Sequence, residues 1–260
     1  MAESNLSLAY PEFMSRVGRF LGYGPTSANW SAAQTTQIDE IVQEGYRWFL
    51  EPGEDAGLPP HEWTFLRPAT TLATVASDYD YDLPDDFGWL ACQSFTFATT
   101  ANVSGGIQIV GEGIIRALRE GTGTNTGVPT HVAARPKAAT AGATGQRWEA
   151  VFYPTPDAIY TLGYRYHVLA SKLTTALPYP LGGERHGSTI LAACLAVAEK
   201  EANDEQGLQF ASFLSRMKAS IRADQRSEPE TYGYCGDGVN VYKGNVPLST
   251  PFTYNGVLGT

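Results

Sequence analysis

Helical patterns at the two ends of the chain, separated by a long segment without them, restrict the fold more than any other feature of the sequence. Apolar residues recur at intervals of three and four over residues 10–21, 31–50, 188–202 and 205–226. Residues 51–179 instead contain short β-rich runs bounded by glycine and proline. Each helical pattern has one apolar stripe that must be buried against another element, so the helices are predicted to pack together across a long insertion.

We therefore predict an α+β fold in which two N-terminal and two C-terminal helices form an antiparallel helical bundle. Residues 1–50 and 180–228 would make the bundle, residues 51–179 a β-rich inserted domain, and residues 229–260 an extended C-terminal arm. The short break between the last two helical patterns favours antiparallel packing of those helices.

The two N-terminal helices are predicted together with their buried faces. The first runs from Tyr10 to Leu21 and places on one face Phe13, Val17, Phe20 and Leu21. The second starts at Ser31, a good N-cap, and runs to Leu50, with a face formed by Ile38, Ile41, Val42, Tyr46 and Phe49. Gly45 lies on that face and costs the helix about 1 kcal/mol, a loss that close approach of a neighbouring backbone could offset.

The two C-terminal helices are predicted over Ser188–Ala202 and from Glu205 to Arg226. Their buried faces are expected to contain Ile190, Leu191, Cys194, Val197 and Ala198 in the first helix, and Phe210, Phe213, Leu214, Met217 and Ile221 in the second. The residues that follow are rich in glycine and proline, yet too aromatic for an ordinary disordered terminus. The aromatic residues among them are Tyr232, Tyr234, Tyr242, Phe252 and Tyr254.

The insertion is predicted to be built of short strands. We expect strands over Thr70–Ser77, Trp89–Ala98 and Ile107–Val110, followed by a single helical turn over Ile114–Arg119. Two further segments are predicted as a flexible loop and as a hairpin tip, namely residues 121–127 and 137–145.

The clearest strand signal is the alternation between residues 147 and 170. One strand is predicted to end at Phe152 and Tyr153, and a second to place on one face Tyr160, Leu162, Tyr164, Tyr166 and Val168. We predict that these two strands pair as a hairpin with one aromatic and one mixed face. His167 lies on the mixed face, which is more typical of a half-exposed strand position than of a general base.

The charge balance argues against nucleic-acid binding. The chain has 27 acidic and 18 basic side chains and a net charge of −9, and such a protein has no general affinity for phosphate backbones. Charged residues make up only 17% of the chain, which is what a protomer with extensive subunit contacts would show. No basic signal region and no apolar run long enough to span a bilayer is found, so we expect a protein that works in solution without a membrane.

No cofactor, metal or catalytic motif is found. The separated cysteines Cys92, Cys194 and Cys235 allow no closed disulfide framework and no zinc spacing, and indicate a reducing compartment. The acidic run that begins at Asp78 lacks the glycine and glutamate of a calcium loop and is interpreted as a solvated strand edge or turn. The glycine-rich segment before Ser188 lacks the lysine of a phosphate loop, and the histidines are scattered, so we expect no enzyme.

A basic stripe runs along the last helix, where Lys218, Arg222 and Arg226 follow one another at intervals of four with Arg216 beside them. Two interpretations stay open. The stripe is either a solvated face whose cations favour the helix C-terminus, or an electrostatic seam to another subunit. In the second case the expected partners surround the preceding turn: Glu199, Glu201, Asp204 and Glu205.

The order of these elements resembles that of a known family. Two N-terminal helices precede an insertion marked by Trp63-Thr64-Phe65-Leu66 and Tyr81-Asp82-Leu83-Pro84-Asp85-Asp86-Phe87. Then follow Tyr153-Pro154-Thr155-Pro156-Asp157, Tyr160-Thr161-Leu162, Tyr164-Arg165-Tyr166, Ile190-Leu191-Ala192, Leu195-Ala196, Ala198-Glu199, Ser220-Ile221 and Asp224. Over most of positions 8–226 this series is similar to the head-to-tail adaptor proteins of tailed bacteriophages, the connectors called tail tubular protein A-like.

The resemblance implies a structural virion protein without catalytic residues or cofactors. It would form a ring, expected to have twelve copies, below the portal protein and would present a platform to the tail or nozzle protein. DNA would pass through its channel without specific binding, which an acidic protein suits because a basic lining would hold the phosphates. Its place would be the head–tail junction of the virion, and the host cytoplasm during assembly.

The part of the chain after Arg226 has no counterpart among these motifs. We predict that its aromatic side chains, together with the basic stripe, bind the portal or a neighbouring adaptor. Two alternatives stay open: a stopper or other tail-completion protein of the same architecture, and a carbohydrate-binding module. The second is suggested by the Tyr-rich strand and by Trp30, Trp63, Trp89 and Trp148.

Overall fold

The protein has an α+β fold, seen in a computed structural model that describes residues 4–53, 58, 60–98, 105–122, 125–138 and 145–225. Within these ranges there are five α-helices and an eight-stranded half-barrel sheet. The predicted α+β class is confirmed. The residues that were predicted to form the C-terminal arm lie outside the described ranges.

The helices are α1 Tyr10–Phe20, α2 Ala32–Leu50, α3 Glu112–Thr122, α4 Glu184–Asn203 and α5 Leu208–Gln225. All four predicted long helices are present, although α4 begins at Glu184 instead of Ser188 and α5 begins at Leu208 instead of Glu205. The single turn predicted at Ile114–Arg119 is wrong, since α3 is a helix of 11 residues. Its flanking glycines suggested an early stop, but Gly113 lies inside the first turn of α3. An added Cβ at Gly113 would meet no atom within 4 Å, so no close neighbour limits the helix there.

The predicted N-cap of α2 is confirmed by its hydrogen bonds. The backbone N–H of Gln34 donates to Ser31 Oγ (3.3 Å), and the backbone N–H of Ser31 donates to Gln34 Oε1 (2.8 Å). This reciprocal pair is a capping box, which satisfies two N–H groups that the helix itself cannot use. The sequence around Ser31 therefore fixes where α2 begins.

Helices α1, α2, α4 and α5 share one hydrophobic core. The predicted faces of α2 and α4 are buried there, apart from a half-buried Leu191, and α5 contributes Phe213, Met217 and Ile221. The prediction for Phe20 is wrong, because its side chain is 39% exposed at the end of α1. Gly45 lies against the backbone of α4, where an added Cβ would be 2.5 Å from Cys194 Cα.

The strands that surround the second core are β1 Ala69–Ala73, β2 Asp80–Asp82, β3 Phe87–Leu90, β4 Ser94–Phe97, β5 Ile107–Ile109, β7 His131–Pro136, β8 Trp148–Tyr153 and β10 Thr161–Val168. Two short strands, β6 Thr126–Gly127 and β9 Thr155–Pro156, pair separately. The predicted strand Trp89–Ala98 is divided between β3 and β4, and Thr70–Ser77 ends early at Ala73. The loop predicted at residues 121–127 contains the end of α3 and β6.

The order of the main sheet is β1-β10-β4-β5-β7-β8-β2, with β3 paired to β10. The predicted hairpin between β8 and β10 is therefore wrong. Strand β8 pairs with β7 and β2, whereas β10 pairs with β1, β3 and β4. Strand β8 is buried on both faces because α3 packs on the face that points away from the main sheet core, through Ile115 and Val151.

The aromatic face predicted for β10 is confirmed, since Tyr160, Leu162, Tyr164 and Tyr166 are all buried. The tip predicted at residues 137–145 lies largely outside the described residues, but the ladder that leads to it is present. Pro136 is paired with Trp148, and the N–H of Lys137 donates to the carbonyl of Arg147.

The acidic run occupies a sheet edge, as interpreted from the sequence. Among the strands that the structure describes, β2 is the last in the order and pairs on one side only, with β8. Asp82 forms an ion pair with Lys137, and Asp85 with Arg147. Charged side chains at an edge oppose pairing with another chain, so this edge is protected from strand addition.

Candidate interaction surface

The basic stripe lies on the face of α5 that points away from the core. Lys218 and Arg222 are exposed, one helical turn apart, while Met217 and Ile221 beside them are buried. Neither cation has an ion-pair partner within the described residues. Two positive charges thus lie on the exposed face of α5, beside residues that the core buries.

The other predicted binding residues lie outside the described part of the chain. They are Arg226, Tyr232, Tyr234, Tyr242, Phe252 and Tyr254. Helix α5 ends at Gln225, directly before the first of them. The predicted binding residues after α5 therefore remain a prediction from the sequence.

Glu199 is not a free partner for the stripe. Its side chain accepts hydrogen bonds from the backbone N–H groups of Gly207 (3.1 Å), Gln209 (2.9 Å) and Phe210 (3.2 Å). These are N–H groups of the first turn of α5, which have no partner within the helix. Glu199 thus fixes the turn between α4 and α5, a role that its place in an acidic run concealed.

The remaining acidic residues of that turn stay exposed. They are Glu201, Asp204 and Glu205. Lys218 lies ten residues after Leu208, the first residue of α5, which corresponds to about 15 Å along the helix. In one protomer the acidic turn and the basic stripe therefore occupy different ends of α5 and do not neutralise each other.

Asp224 anchors the end of α5 to the segment that leads into the sheet. Its side chain is 3% exposed, and Oδ2 lies 2.9 Å from Nε2 of His61. The backbone N–H of Thr64 donates to Oδ2 (3.0 Å), and the hydroxyl of Thr64 donates to Oδ1 (2.5 Å). Burial raises the pKa of Asp224, but the hydrogen bonds from Thr64 and His61 outweigh burial and hold the pKa below its ordinary value.

The Asp224 contact escaped the sequence analysis, although one signal was present. Asp224 follows Ile221 at a spacing of three, so it falls on the apolar stripe of α5. A carboxylate on a buried stripe needs several donors. The sequence alone does not show that His61 and Thr64, far away in the chain, supply them.

An aromatic cluster lies beside this contact, and His61 reaches it through the edge of Trp63. The rings of Phe49 and Trp63 are 4.6 Å apart, and Trp63 Nε1 donates to the carbonyl of Phe49 at 3.0 Å. His186 packs against Trp63 with ring centroids 5.1 Å apart, and burial lowers the pKa of His186. The start of α4, the end of α2 and the chain around Trp63 are thereby joined through one set of rings.

A groove of about 930 Å³ opens between the end of α2, residues 60–62 and the ends of β3 and β10. Its most exposed rings belong to the sheet side, where Trp89 stacks on His167 with centroids 3.7 Å apart and an interplanar angle of 13°. Trp89 is 45% exposed, and Leu169 beside it is 51% exposed. His167 is half-buried, as its strand position predicted, and burial lowers its pKa.

A second exposed apolar surface lies at the opposite end of β10. Val75 is 56% exposed and Ile159 is 74% exposed, and the segments that carry them are joined by the hydrogen bond from Thr74 N–H to the carbonyl of Tyr160. Strand β10 has 8 residues, which span about 26 Å. Exposed apolar side chains therefore lie at both ends of β10.

The structure gives the carbohydrate alternative little support. Trp30 and Trp63 are buried in the helical core, Trp148 is half-buried, and Trp89 is the exposed one of the four. Within the described residues no cluster of three or more metal-binding side chains occurs. None of the helices in those ranges is both long and apolar enough to cross a bilayer.

The family model described as SU10 adaptor protein matches residues 9–234. No curated protein matches the chain. The matched range contains both helix pairs and the sheet, and it continues past the end of α5 at Gln225.

Proposed function

Because this chain belongs to the SU10 adaptor protein family, a family of phage head-to-tail adaptors, we propose that it joins the capsid to the tail as a structural virion protein. The match over residues 9–234 carries this proposal, since it spans nearly all of the described fold. A tail tubular protein A-like connector is the member that we propose within this class. We propose a structural role without enzymatic activity or cofactor, at the head–tail junction and, during assembly, in the host cytoplasm.

We propose that the protein works as a ring, with twelve copies below the portal protein and a tail or nozzle protein beneath. In each copy residues 1–50 and 180–228 would form the antiparallel bundle, residues 51–179 the inserted β domain and residues 229–260 the arm. A ring needs two different surfaces on each protomer that fit each other. The exposed basic stripe and the exposed acidic turn, which are separated along α5, are two such surfaces.

The contact between neighbours would pair Lys218, Arg222 and Arg226 with Glu201, Asp204 and Glu205 of the next copy. Glu199 is omitted, because it is occupied within the protomer. Exposed ion pairs contribute only about 0.2–1 kcal/mol each, so they would set register more than affinity. The apolar surface at Val75 and Ile159 would supply contact area to a partner, for which we propose the tail or nozzle protein.

The net charge of −9 supports a channel that DNA crosses without being bound. The arm is proposed to bind the portal or a neighbouring adaptor through its aromatic residues. A stopper protein would have the same architecture, but its direct partner would be another neck protein instead of the portal.

Electron microscopy of the protein mixed with portal rings tests the proposal. We expect an added layer of symmetric density below the portal. A chain truncated after Arg226 is expected to bind portal more weakly than the full chain. The role of the arm is refuted if the two bind with equal affinity, and the adaptor role is refuted if the full chain adds no density to portal rings.

Charge exchange tests the seam separately. The pair Lys218→Glu and Arg222→Glu is expected to weaken ring assembly, because it places like charges opposite each other, and adding Glu201→Lys and Glu205→Lys to the same chain is expected to strengthen it again. Arg16→Glu with Arg19→Glu, on the exposed face of α1, is the matched control and should leave assembly intact. The proposed seam is refuted if the chain with all four substitutions assembles no better than the variant with Lys218→Glu and Arg222→Glu alone.

A further inference from the structure

The groove beside Trp89 has an apolar wall with no partner inside the described part of the protomer. Trp89 and Leu169 are each about half exposed, on a surface where His167 already holds the Trp89 ring in place. The opposite wall belongs to the end of α2 and has charged residues at its rim, among them Arg47 and Glu51. A side chain with an apolar ring and a polar tip would fit both walls, and tyrosine is such a side chain.

The chain leaves α5 next to this groove. Asp224, in the last turn of α5, binds His61, and His61 is one of the groove residues. Tyr232 lies seven residues after Gln225, and an extended chain of that length reaches about 23 Å. Tyr232 and Tyr234 are thus within reach of the groove without any change in α5.

The extent of the family match provides an independent reason to connect the two. The match continues past the end of α5 and stops at Tyr234, so residues 226–234 belong to the part of the chain that follows the family pattern. Residues 235–260, with the other aromatic residues of the arm, lie beyond the match. The end of the family match therefore separates residues 226–234 from residues 235–260.

We propose that residues 226–234 bind back onto their own protomer and place Tyr232 or Tyr234 in the groove beside Trp89. The ring would pack on Trp89 and Leu169, and the hydroxyl would remain at the charged rim. The partner-binding part of the arm would then begin after residue 234. The segment from the Asp224 contact to the groove would also fix the direction in which Tyr242, Phe252 and Tyr254 leave the protomer.

Acrylamide quenching of Trp89 in the full chain tests the inference. The signal of Trp89 is isolated by subtracting a Trp89→Phe variant from the parent chain. Replacing both residues, Tyr232→Ala and Tyr234→Ala, is expected to increase quenching of Trp89 several-fold. The matched control, Tyr242→Ala with Tyr254→Ala, lies beyond residue 234 and is expected to leave quenching unchanged. Equal quenching in the two double variants would overturn the inference.

Disulfide formation with Cys235, the residue after Tyr234, supplies a second measurement. In a Cys92→Ser background, Ser171→Cys places a thiol at the groove, and Ser215→Cys places one on the exposed face of α5, about 15 Å from its end and within reach of an extended chain. Cross-linking within one chain is expected to be about tenfold faster to residue 171, because the bound segment raises its effective concentration there. Equal rates, or cross-links formed mainly between two chains, would overturn binding within the protomer.

These measurements use the isolated protein, so their outcome does not depend on portal binding. Loss of the quenching effect with intact portal binding would refute only the position of residues 226–234. An intact quenching effect without portal binding would refute the proposed partner and leave the groove assignment standing.

Discussion

Replacing Gly45 by alanine separates two physical effects that predict opposite results. Helix propensity alone favours alanine by about 1 kcal/mol in a helix interior. In this structure, however, the added Cβ would lie 2.5 Å from Cys194 Cα and 2.6 Å from Cys194 N, where ordinary contacts need 3.4 Å or more. Both atoms belong to backbone, so no side-chain rotation relieves the overlap, and α2 and α4 must move apart.

The net effect follows from the two magnitudes. Overpacking costs about 1–3 kcal/mol, and a backbone overlap of this size belongs at the upper end of that range. After subtracting the gain in propensity, we expect Gly45→Ala to lower the free energy of unfolding by about 2 kcal/mol. For a protein of this size, that corresponds to a fall of about 4–8 °C in Tm.

The assay is thermal unfolding followed by far-UV circular dichroism, with Gly187→Ala as the matched control. Gly187 is also a buried helical glycine, but its added Cβ would lie 3.7 Å from the nearest atom, Leu8 Cγ. The control is therefore expected to raise Tm by about 2–4 °C, through propensity alone. If Gly45→Ala raised Tm as much as Gly187→Ala, the close packing of α2 on α4 would be refuted.

Three further predictions concern the buried acids. Asp224→Ala should lower the free energy of unfolding by about 3 kcal/mol in urea denaturation, because His61 and Thr64 lose their shared acceptor; an unchanged midpoint would refute the anchoring role. The lowered pKa of Asp224 means that the unfolded state binds a proton at this residue more readily than the folded state. The ionised Asp224 side chain therefore stabilises the fold above about pH 4, and this stabilisation is lost on further acidification. A pH series should accordingly show a smaller loss of stability below pH 4 in Asp224→Ala than in the parent, and parallel curves would contradict this. Glu199→Gln should cost about 1–2 kcal/mol, because the charged acceptor of three N–H groups becomes neutral. The neighbouring exposed change Glu201→Gln should have almost no effect, and equal losses in the two variants would contradict the assigned cap.

The helical half of the fold was predictable because its determinants are local. Spacing of three and four identifies the buried face of α2 without knowledge of its partner, and Ser31 with Gln34 marks its beginning. The close approach at Gly45 could also be predicted from the sequence, since a glycine on an apolar helix face suggests that a neighbouring backbone lies close to it. The neighbour itself, Cys194, is far away in the chain and could not be named.

The sheet was less predictable because alternation identifies a strand but not the strand beside it. Consecutive strands are usually neighbours, which favoured the hairpin between β8 and β10. The structure places β8 and β10 apart, because each lies between other partners in the sheet order. The sequence of β8 contained a hint that β8 lies inside the sheet. Its residues are apolar on both faces, and the second face needs α3 as a cover.

The partners of the charged residues could not be predicted from the sequence either, and this matters for the proposed seam between subunits. Sequence places Glu199 and Asp224 near the basic stripe, but both carboxylates point inward and are fully engaged with donors of their own protomer. Lys218 and Arg222 thus keep their charge on the outer face of a helix that is held at both ends by buried acids. Within the described residues neither cation has an ion-pair partner, and the seam that we propose would pair both with acidic residues of the next copy. Because Glu199 is engaged inside the protomer, the acidic side of the proposed seam is reduced to the exposed residues Glu201, Asp204 and Glu205.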